Sequence, residues 1–289
     1  MLNALTIDVE EYFHAHAYER VIDRASWDRL PSRVAGNTRR LLALLRERGV
    51  LATFFVLGWV AERQPDLVRE IVADGHELAT HGHAHELLYR QSREAFAADL
   101  ARALDALRTA AGADAPVLGY RAPAFSLTDD SLWALDVLRA HGLRYDSSLL
   151  PLARGDGAHR SALRGGKRYG VSGAGRFAGR LADLWEFPVS TVAFAGRRWS
   201  VAGGGIFRLL PLWVSRRMID RINGEGHPAI VYLHPWELDA EEPEVPGAPA
   251  LARFRHRVNL GKTEGRLRRL LGERRFAPMR EVFAAELAS

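Results

Sequence analysis

The feature that most constrains this chain is an alternation of short apolar runs with helical periodicity. "ALTIDV" (4–9) reads as a buried strand, and "RVAGNTRRLLALLRERGV" (33–50) has helical spacing and a glycine stop. "ATFFVLG" (52–58) is β-branched and aromatic. "PDLVREIVADG" (65–75) begins with proline and ends with glycine, as helices do. The pattern continues through a short strand at 76–81 and a helix at 92–112 with Ser92 as its cap. A strand at 116–121 and a helix at 128–142 come next. Later come a strand at 184–190, a helix at 211–224, a strand at 228–234 and a basic helix near 263–273. Repeated β-α units predict an α/β fold with a parallel sheet or barrel. In such folds functional groups gather at the C-terminal ends of the strands. Those ends carry Asp8 and Glu10, His81, Arg121 and His234.

Composition narrows the chemistry. At 289 residues and 47% hydrophobic, the chain can bury a large core, as one α/β domain or two smaller ones. It has no cysteine, so disulfides, thiolate metal sites and cysteine nucleophiles are excluded. A net charge of +5 is mild for this length and gives no reason to expect a nucleic-acid partner. The N-terminus "MLNALTIDVEEYFH" lacks a basic leader region, and "LATFFVLGWVA" (51–61) is too short to span a bilayer. The expected location is the cytoplasm, free or at a membrane periphery.

Four histidines fall within "HELATHGHAH" (76–85). "HELAT" breaks the zinc-peptidase helix pattern, because Thr80 stands where the second histidine belongs. In a helical turn His81 and His85 share a face at i, i+4 while His83 points away; in a strand all three share one face. Either pair of imidazoles can take one divalent metal, with a carboxylate from another segment as third ligand and a place left for water. Asp8 and Glu10, two apart at a strand end, can face the same side, one as base and the other as ligand. Arg121 can orient a carboxylate, or form an ordinary salt bridge. His234, closing "AIVYLH", suits a general acid, or is a strand-end histidine with no role. "NLGKT" (259–263) lacks the upstream glycine of a phosphate-binding loop. The glycine-rich stretch 154–180, with seven Lys/Arg and one Asp, reads as a long surface loop, and 240–250 as an acidic irregular segment.

The ordered set "TIDVE", "HELATHGHAH", "GYRAP", "RYDSS" and "IVYLHP" resembles the polysaccharide deacetylase family (carbohydrate esterase family 4, NodB homology) from about residue 4 to 235. The segment 254–279 is similar to the C-terminal extension of a bacterial subgroup associated with exopolysaccharide biosynthesis and PEP-CTERM protein-sorting loci. The resemblance implies a distorted (β/α) barrel. It implies one domain over 1–289 with an extension at about 240–289. It also implies metal-dependent hydrolysis of an N-acetyl amide on a polysaccharide or lipid-linked oligosaccharide. Its roles fall on Asp8 as base, His81 and His85 as ligands of a divalent metal such as zinc, Arg121 as support of the base and His234 as acid. The backbone N–H of Ala124 becomes the oxyanion donor. Asp146 either orients His234, touches substrate, or caps a turn with Ser147 and Ser148, the last being favoured.

Two departures from the family pattern stand out. Val9 replaces an expected second aspartate, which passes the third metal position to Glu10, and Ala124 stands where many members carry tyrosine. Rival readings are a small cyclic-amide hydrolase or deformylase on the same fold, and a non-catalytic sugar binder. An open groove with Trp185, Trp199 or Trp236 exposed favours sugar over a small amide; the same tryptophans can instead be core.

Overall fold

Strand β1 (Leu2–Val9) sets the layout, because every residue after Leu2 is buried. Burial on both faces of a strand requires a layer on each side. Leu5, Ile7 and Val9 join one apolar cluster with Leu41, Leu45, Leu67 and Leu100 from surrounding helices. Ala4, on the other face, joins a second cluster with Phe55, Ala79, Tyr145, Phe187 and Ile230, all from strands or their ends. The sheet therefore curls around an interior of its own, with helices outside. This is the expected α/β architecture, a distorted (β/α) barrel. The computed structural model describes residues 1–150, 175–176, 184–194, 197–201 and 203–288. Apart from 175–176, the glycine-rich stretch 154–180 lies outside the described residues.

The elements follow in chain order. After β1 come α1 (Val34–Arg48), β2 (Thr53–Val56), α2 (Gly58–Arg63), α3 (Pro65–Ala73), β3 (Glu77–Thr80) and α4 (Arg93–Ala111). Next are β4 (Gly119–Tyr120), α5 (Trp133–Ala140), β5 (Tyr145–Asp146), β6 (Gly175–Arg176), β7 (Trp185–Glu186) and a hairpin of β8 (Thr191–Phe194) and β9 (Arg197–Ser200). The C-terminal part supplies α6 (Gly204–Leu209), α7 (Leu212–Gly224), β10 (Ile230–Leu233), α8 (Ala250–Arg257), α9 (Leu260–Glu273), β11 (Arg275–Ala277), α10 (Met279–Val282) and α11 (Ala284–Leu287). The strand order is β10-β1-β2-β3-β4-β5-β7-β6, parallel throughout except for β6 against β7. β11 pairs in parallel with Leu2–Ala4. Since Ala4 also pairs with Ile230, β11 occupies the β2 side of β1, below the start of β2. The seam is drawn together where Ile230 N donates to Ser190 Oγ at 2.7 Å, joining the chain after β7 to the start of β10.

Local sequence explains the ends. Ser92 Oγ accepts from Ala95 N at 3.2 Å, the expected cap of α4. Gly49 closes α1 at φ +61°, a left-handed conformation that favours glycine. The sequence reading did not include α2, β5, β6, the β8–β9 hairpin, α6, α8, β11, α10 or α11. Far from peripheral, the C-terminal segment puts Met279 and Phe283 into the barrel interior, with Phe283 stacked on Phe187 at 4.0 Å. Among the described residues no helix is long and apolar enough to cross a membrane.

The barrel is narrow at its waist. A Cβ on Gly119 would lie 2.0 Å from Tyr145 Cζ. Tyr145 cannot withdraw cheaply, because its hydroxyl donates to the buried Glu77 Oε1 at 2.8 Å. Gly119→Ala is therefore expected to lower stability by about 3 kcal/mol, read as a fall in the urea midpoint at unchanged m-value.

Candidate active site

Strand parity assembles the site. In β1 the residues Ala4, Thr6 and Asp8 alternate with the outward-facing set, and one step past the ends of β3, β4, β5 and β10 the same interior parity reaches His81, Arg121, Ser147 and His234. Arg121 is fully buried and its fork is filled. Nη1 donates to Asp8 Oδ1 and to Thr6 Oγ1, each at 2.7 Å, while Nη2 reaches Ser147 Oγ at 3.0 Å and Nε the Ser147 carbonyl at 3.2 Å. The guanidinium lies 4.2 Å over the Phe55 ring. Asp8 Oδ2 is left facing the site, 4.0 Å from His234 Nε2.

The histidine segment is neither a helical turn nor a strand beyond Thr80. It is a loop turned by two left-handed residues, Gly82 at φ +75° and His85 at φ +52°. That path brings His81 and His85 to one side and sends His83 to the other, as the helical alternative had it but by a different backbone. His83 meets Glu62 at 3.0 Å on α2. Asp99 of α4 takes the N–H groups of His83 (2.8 Å) and Ala84 (3.0 Å), and Arg24 binds the carbonyls of Ala84 and His85. The carbonyl of Arg121 accepts from His81 Nδ1 at 2.7 Å, so His81 carries its proton there and keeps Nε2 bare.

Glu10, His81 and His85 each offer a ligand atom, all mutually within 4.8 Å and all buried. Glu10 Oε1 accepts from Trp236 Nε1 at 3.4 Å. Glu10 Oε2 lies 2.7 Å from His85 Nε2, yet the contact lacks hydrogen-bond alignment, and Oε2 is a buried oxygen without a partner. An oxygen and a ring nitrogen side by side rather than head-on suit convergence on a third centre. Burial would raise the Glu10 pKa, but His85, His234 and His81 outweigh it and hold the carboxyl below its ordinary range. Burial pushes His81 down to about 4, leaving the neutral ring that a cation needs. The donor set thus fits a divalent cation. Glu11 faces away from the site: its carboxylate accepts from Arg33 N (3.0 Å) and Val34 N (3.2 Å) and caps the start of α1.

His234 Nδ1 pairs with Glu237 Oε1 at 2.8 Å, and Glu237 Oε2 accepts from the buried Arg208 Nε at 2.8 Å. Burial would lower the His234 pKa, but the hydrogen bond to Glu237, with Glu10 and Asp8 nearby, raises it to about 9. The ring stacks on Trp236, which stacks in turn on His256 at 3.9 Å. Trp236 is therefore core, whereas Trp199 is 46% exposed. Ala124 sits at φ +50°, and no acceptor among the described residues takes its N–H. Asp146 faces the opposite side of β5 from Ser147. Ser148 Oγ donates to it, which matches the favoured turn reading, and it does not reach His234.

Residues 25–145 match the polysaccharide deacetylase family, and residues 158–284 match a domain of unknown function, DUF3473. The stretch 25–145, which carries β2 to β4 and the histidine loop, is thus similar to the polysaccharide deacetylase family. A chitooligosaccharide deacetylase of Sinorhizobium fredii is 39% identical over 95 residues, 33% of this chain and 44% of that protein. A peptidoglycan-N-acetylglucosamine deacetylase of Bacillus cereus is 31% identical over 75 residues, 26% of this chain and 27% of that protein. A Mycobacterium smegmatis protein described as a candidate polysaccharide deacetylase shares the fold at a TM-score of 0.61 and 23% identity, over 98% of this chain and 90% of that one. The chain spans less than half the length of the curated relatives it matches. The DUF3473 match starts well before the extension expected at about 240.

Around the site, four supporting residues escaped the sequence reading: Glu237, Arg208, Asp99 and Arg24. Only Glu237 left a signal, standing three residues after His234 at the start of a short turn whose capping box it forms. The Glu237 contact has a pH consequence. A histidine with folded pKa near 9 and unfolded pKa near 6.5 contributes stability that is complete below the lower value and lost as pH rises through the higher one. In metal-free protein, NMR titration of His234 is expected near pH 9, and Glu237→Gln should move the midpoint down by at least about one unit.

Proposed function

We propose that the protein is a divalent-metal-dependent N-deacetylase that removes acetyl groups from amino sugars of a bacterial polysaccharide or its lipid-linked precursor, in the cytoplasm or at the membrane periphery. The observation that carries the reading is the buried Glu10–His81–His85 cluster lying between the Arg121-held Asp8 and the Glu237-held His234. The named activities of the chitooligosaccharide and peptidoglycan relatives support the substrate class.

Glu10, His81 and His85 would hold the cation. A bound divalent ion, zinc in this reading, supplies Lewis acidity toward the acetamide carbonyl and toward water. The remaining work falls to the chain. Asp8 Oδ2 takes the proton of the attacking water while Arg121 keeps Oδ1 engaged and the carboxylate oriented. The Ala124 N–H donates to the oxygen on which negative charge develops. His234, kept protonated by Glu237, gives its proton to the departing amine, which is otherwise a poor leaving group. Acetate and the free amino sugar result.

The test measures acetate release from N-acetylglucosamine oligosaccharides together with metal content. Asp8→Asn is expected to keep the metal and lose turnover by about 1,000-fold, since an amide cannot accept the proton. Glu10→Gln should lose metal first and recover part of its turnover in excess metal. His83→Ala should keep its metal, because that ring points to Glu62. A chain in which Asp8→Asn strips the metal and Glu10→Gln retains it has the two carboxylate roles reversed. No acetate from any N-acetylated oligosaccharide, with metal bound, rejects the deacetylase reading in favour of the small-amide or binding alternatives.

A further inference from the structure

Asp146 and Glu186 are opposed neighbours in the parallel β5–β7 pair, and both are fully buried. Register partners on adjacent strands project to the same face, so the two carboxyl groups lie side by side. One oxygen of each is spoken for: Asp146 Oδ1 accepts from Ser148 Oγ, and Glu186 Oε1 accepts from Leu149 N at 3.0 Å. The other two, Asp146 Oδ2 and Glu186 Oε2, are buried with no donor. Two ionised carboxylates cannot meet in this way, since each is an acceptor and both carry charge. A proton between them removes the conflict.

The pair is tied to the turn that carries Ala124. Ser148 Oγ, which donates to Asp146, accepts from Ala122 N at 2.7 Å. Ala122 opens turn 122–125, where Ala124 (φ +50°) and Phe125 (φ +52°) are both left-handed without being glycine. Such a turn stores about 1–2 kcal/mol of strain per residue and persists only where neighbours hold it.

We infer that Asp146 and Glu186 share a single proton and that this bridged pair, acting through Ser148, is a positioning device for turn 122–125. Glu186 Oε2 carries the proton and donates to Asp146 Oδ2. Asp146 is the acceptor because Ser148 Oγ and the backbone N–H groups of Ser147 and Ser148 already favour its ionised form. Burial and the neighbouring Asp146 carboxylate push Glu186 well above the ordinary carboxylate range, with Arg121 and the Leu149 N–H pulling the other way. Tyr120 is the further titratable group that feels Asp146. The folded chain then holds a proton that the unfolded chain releases, so stability falls as pH rises from the ordinary carboxylate range through the pair's own pKa. The link from the turn to turnover rests on the deacetylase reading; the shared proton does not.

The experiment therefore has a spectroscopic arm and a kinetic arm. Infrared difference spectra of the full chain, wild type minus Glu186→Gln, are expected to contain a protonated-carboxyl band at neutral pH that disappears on alkaline titration. Thermal stability of the wild type should fall over the same range, and that of Glu186→Gln and Asp146→Asn should fall less, keeping only the share due to His234, because an amide donor replaces the proton permanently. Absence of the band, or identical pH dependence in all three proteins, overturns the shared proton whether or not acetate is released. In the kinetic arm, Glu186→Leu should lower kcat about 100-fold relative to Glu186→Gln, with metal content equal. Equal kcat in the two variants overturns the positioning role. Where Glu186→Leu fails to fold, the pH dependence of kcat in Glu186→Gln replaces it: its alkaline fall should be smaller than that of the wild type, leaving only the limb set by His234, and identical profiles overturn the role.

Discussion

The buried Arg121–Asp8 ion pair is the contact on which the rest of the interior depends. Its partners are 0% and 2% exposed. Taking two charges out of water is expensive and is offset only when the remaining donors and acceptors are filled. Here they are, and filling them ties the barrel together. Arg121 extends from the end of β4 to Asp8 and Thr6 on β1 and to Ser147 after β5. Thr6 Oγ1 passes the connection to β10 by donating to the Val231 carbonyl at 2.9 Å, and Ser147 Oγ passes it on to the Phe187 carbonyl beyond β7 at 2.8 Å. The Arg121 carbonyl also sets the tautomer of His81. One side chain and its backbone thus fix the candidate base, one candidate ligand and four strand ends. Lysine, a point charge without the planar fork, cannot reproduce that set.

What was legible in the sequence follows from range. The long strand β1 and the helices α1, α3, α4, α7 and α9 carry their own periodicity and caps, so they were readable. Strands β4, β5 and β7 are two residues long; β5 went unread because no alternation can be read in two residues, while β4 and β7 were read only through the longer stretches 116–121 and 184–190 that contain them. They exist because their neighbours in the sheet supply the hydrogen bonds. The strand-end carboxylates, histidines and arginine were readable because parallel strands deliver their ends to one place. Their supports were not: Asp99 and Arg24 reach the histidine loop from 14 or more residues away in the chain, through contacts with backbone that any residue could provide. The histidine loop shows the limit from another side. The i, i+4 argument puts His81 and His85 on one side, where the loop also brings them, while the real cause is the left-handed Gly82 and His85, which spacing alone cannot reveal.

The C-terminal part is less an appendage than the support of His234. Glu237 must sit under His234, and Gly204 at the start of α6 makes room for it: a Cβ there would lie 1.7 Å from Glu237 Oε1. Arg208, about one turn further along α6, neutralises Glu237 while binding the carbonyls of His256 and Val258 at the end of α8. His256 in turn stacks on Trp236 and pairs with the buried Glu242 at 2.9 Å. The segment 204–260 therefore sets the environment of His234 from below, while β1 sets it from the side through Asp8 and Glu10. A pair of buried carboxylates beside a histidine is tolerable only because Arg208 stands behind one and Arg121 beside the other side of the site.

The two ends of the barrel interior are built on opposite principles. At the N-terminal end Glu77 is buried, yet each oxygen has its donors: Tyr145 OH at 2.8 Å on Oε1, Thr53 Oγ1 at 2.7 Å and Arg280 N at 2.8 Å on Oε2. A buried carboxyl satisfied on every side by its own fold is a fastener, and it joins β2, β3, β5 and the C-terminal α10 region. At the C-terminal end, among the described residues, Glu10 Oε2 lies equally deep and lacks a donor, the Ala124 N–H lacks an acceptor, and His81 Nε2 is bare. Leaving a buried polar group unmatched costs about 1–3 kcal/mol each. Natural chains retain such a cost where something other than the fold completes the group. The same residue types, carboxylate and hydrogen-bond donor, are thus divided between fastening and chemistry by whether the fold itself closes their valences. The unmatched ones are those that parity brings to the C-terminal ends of the strands.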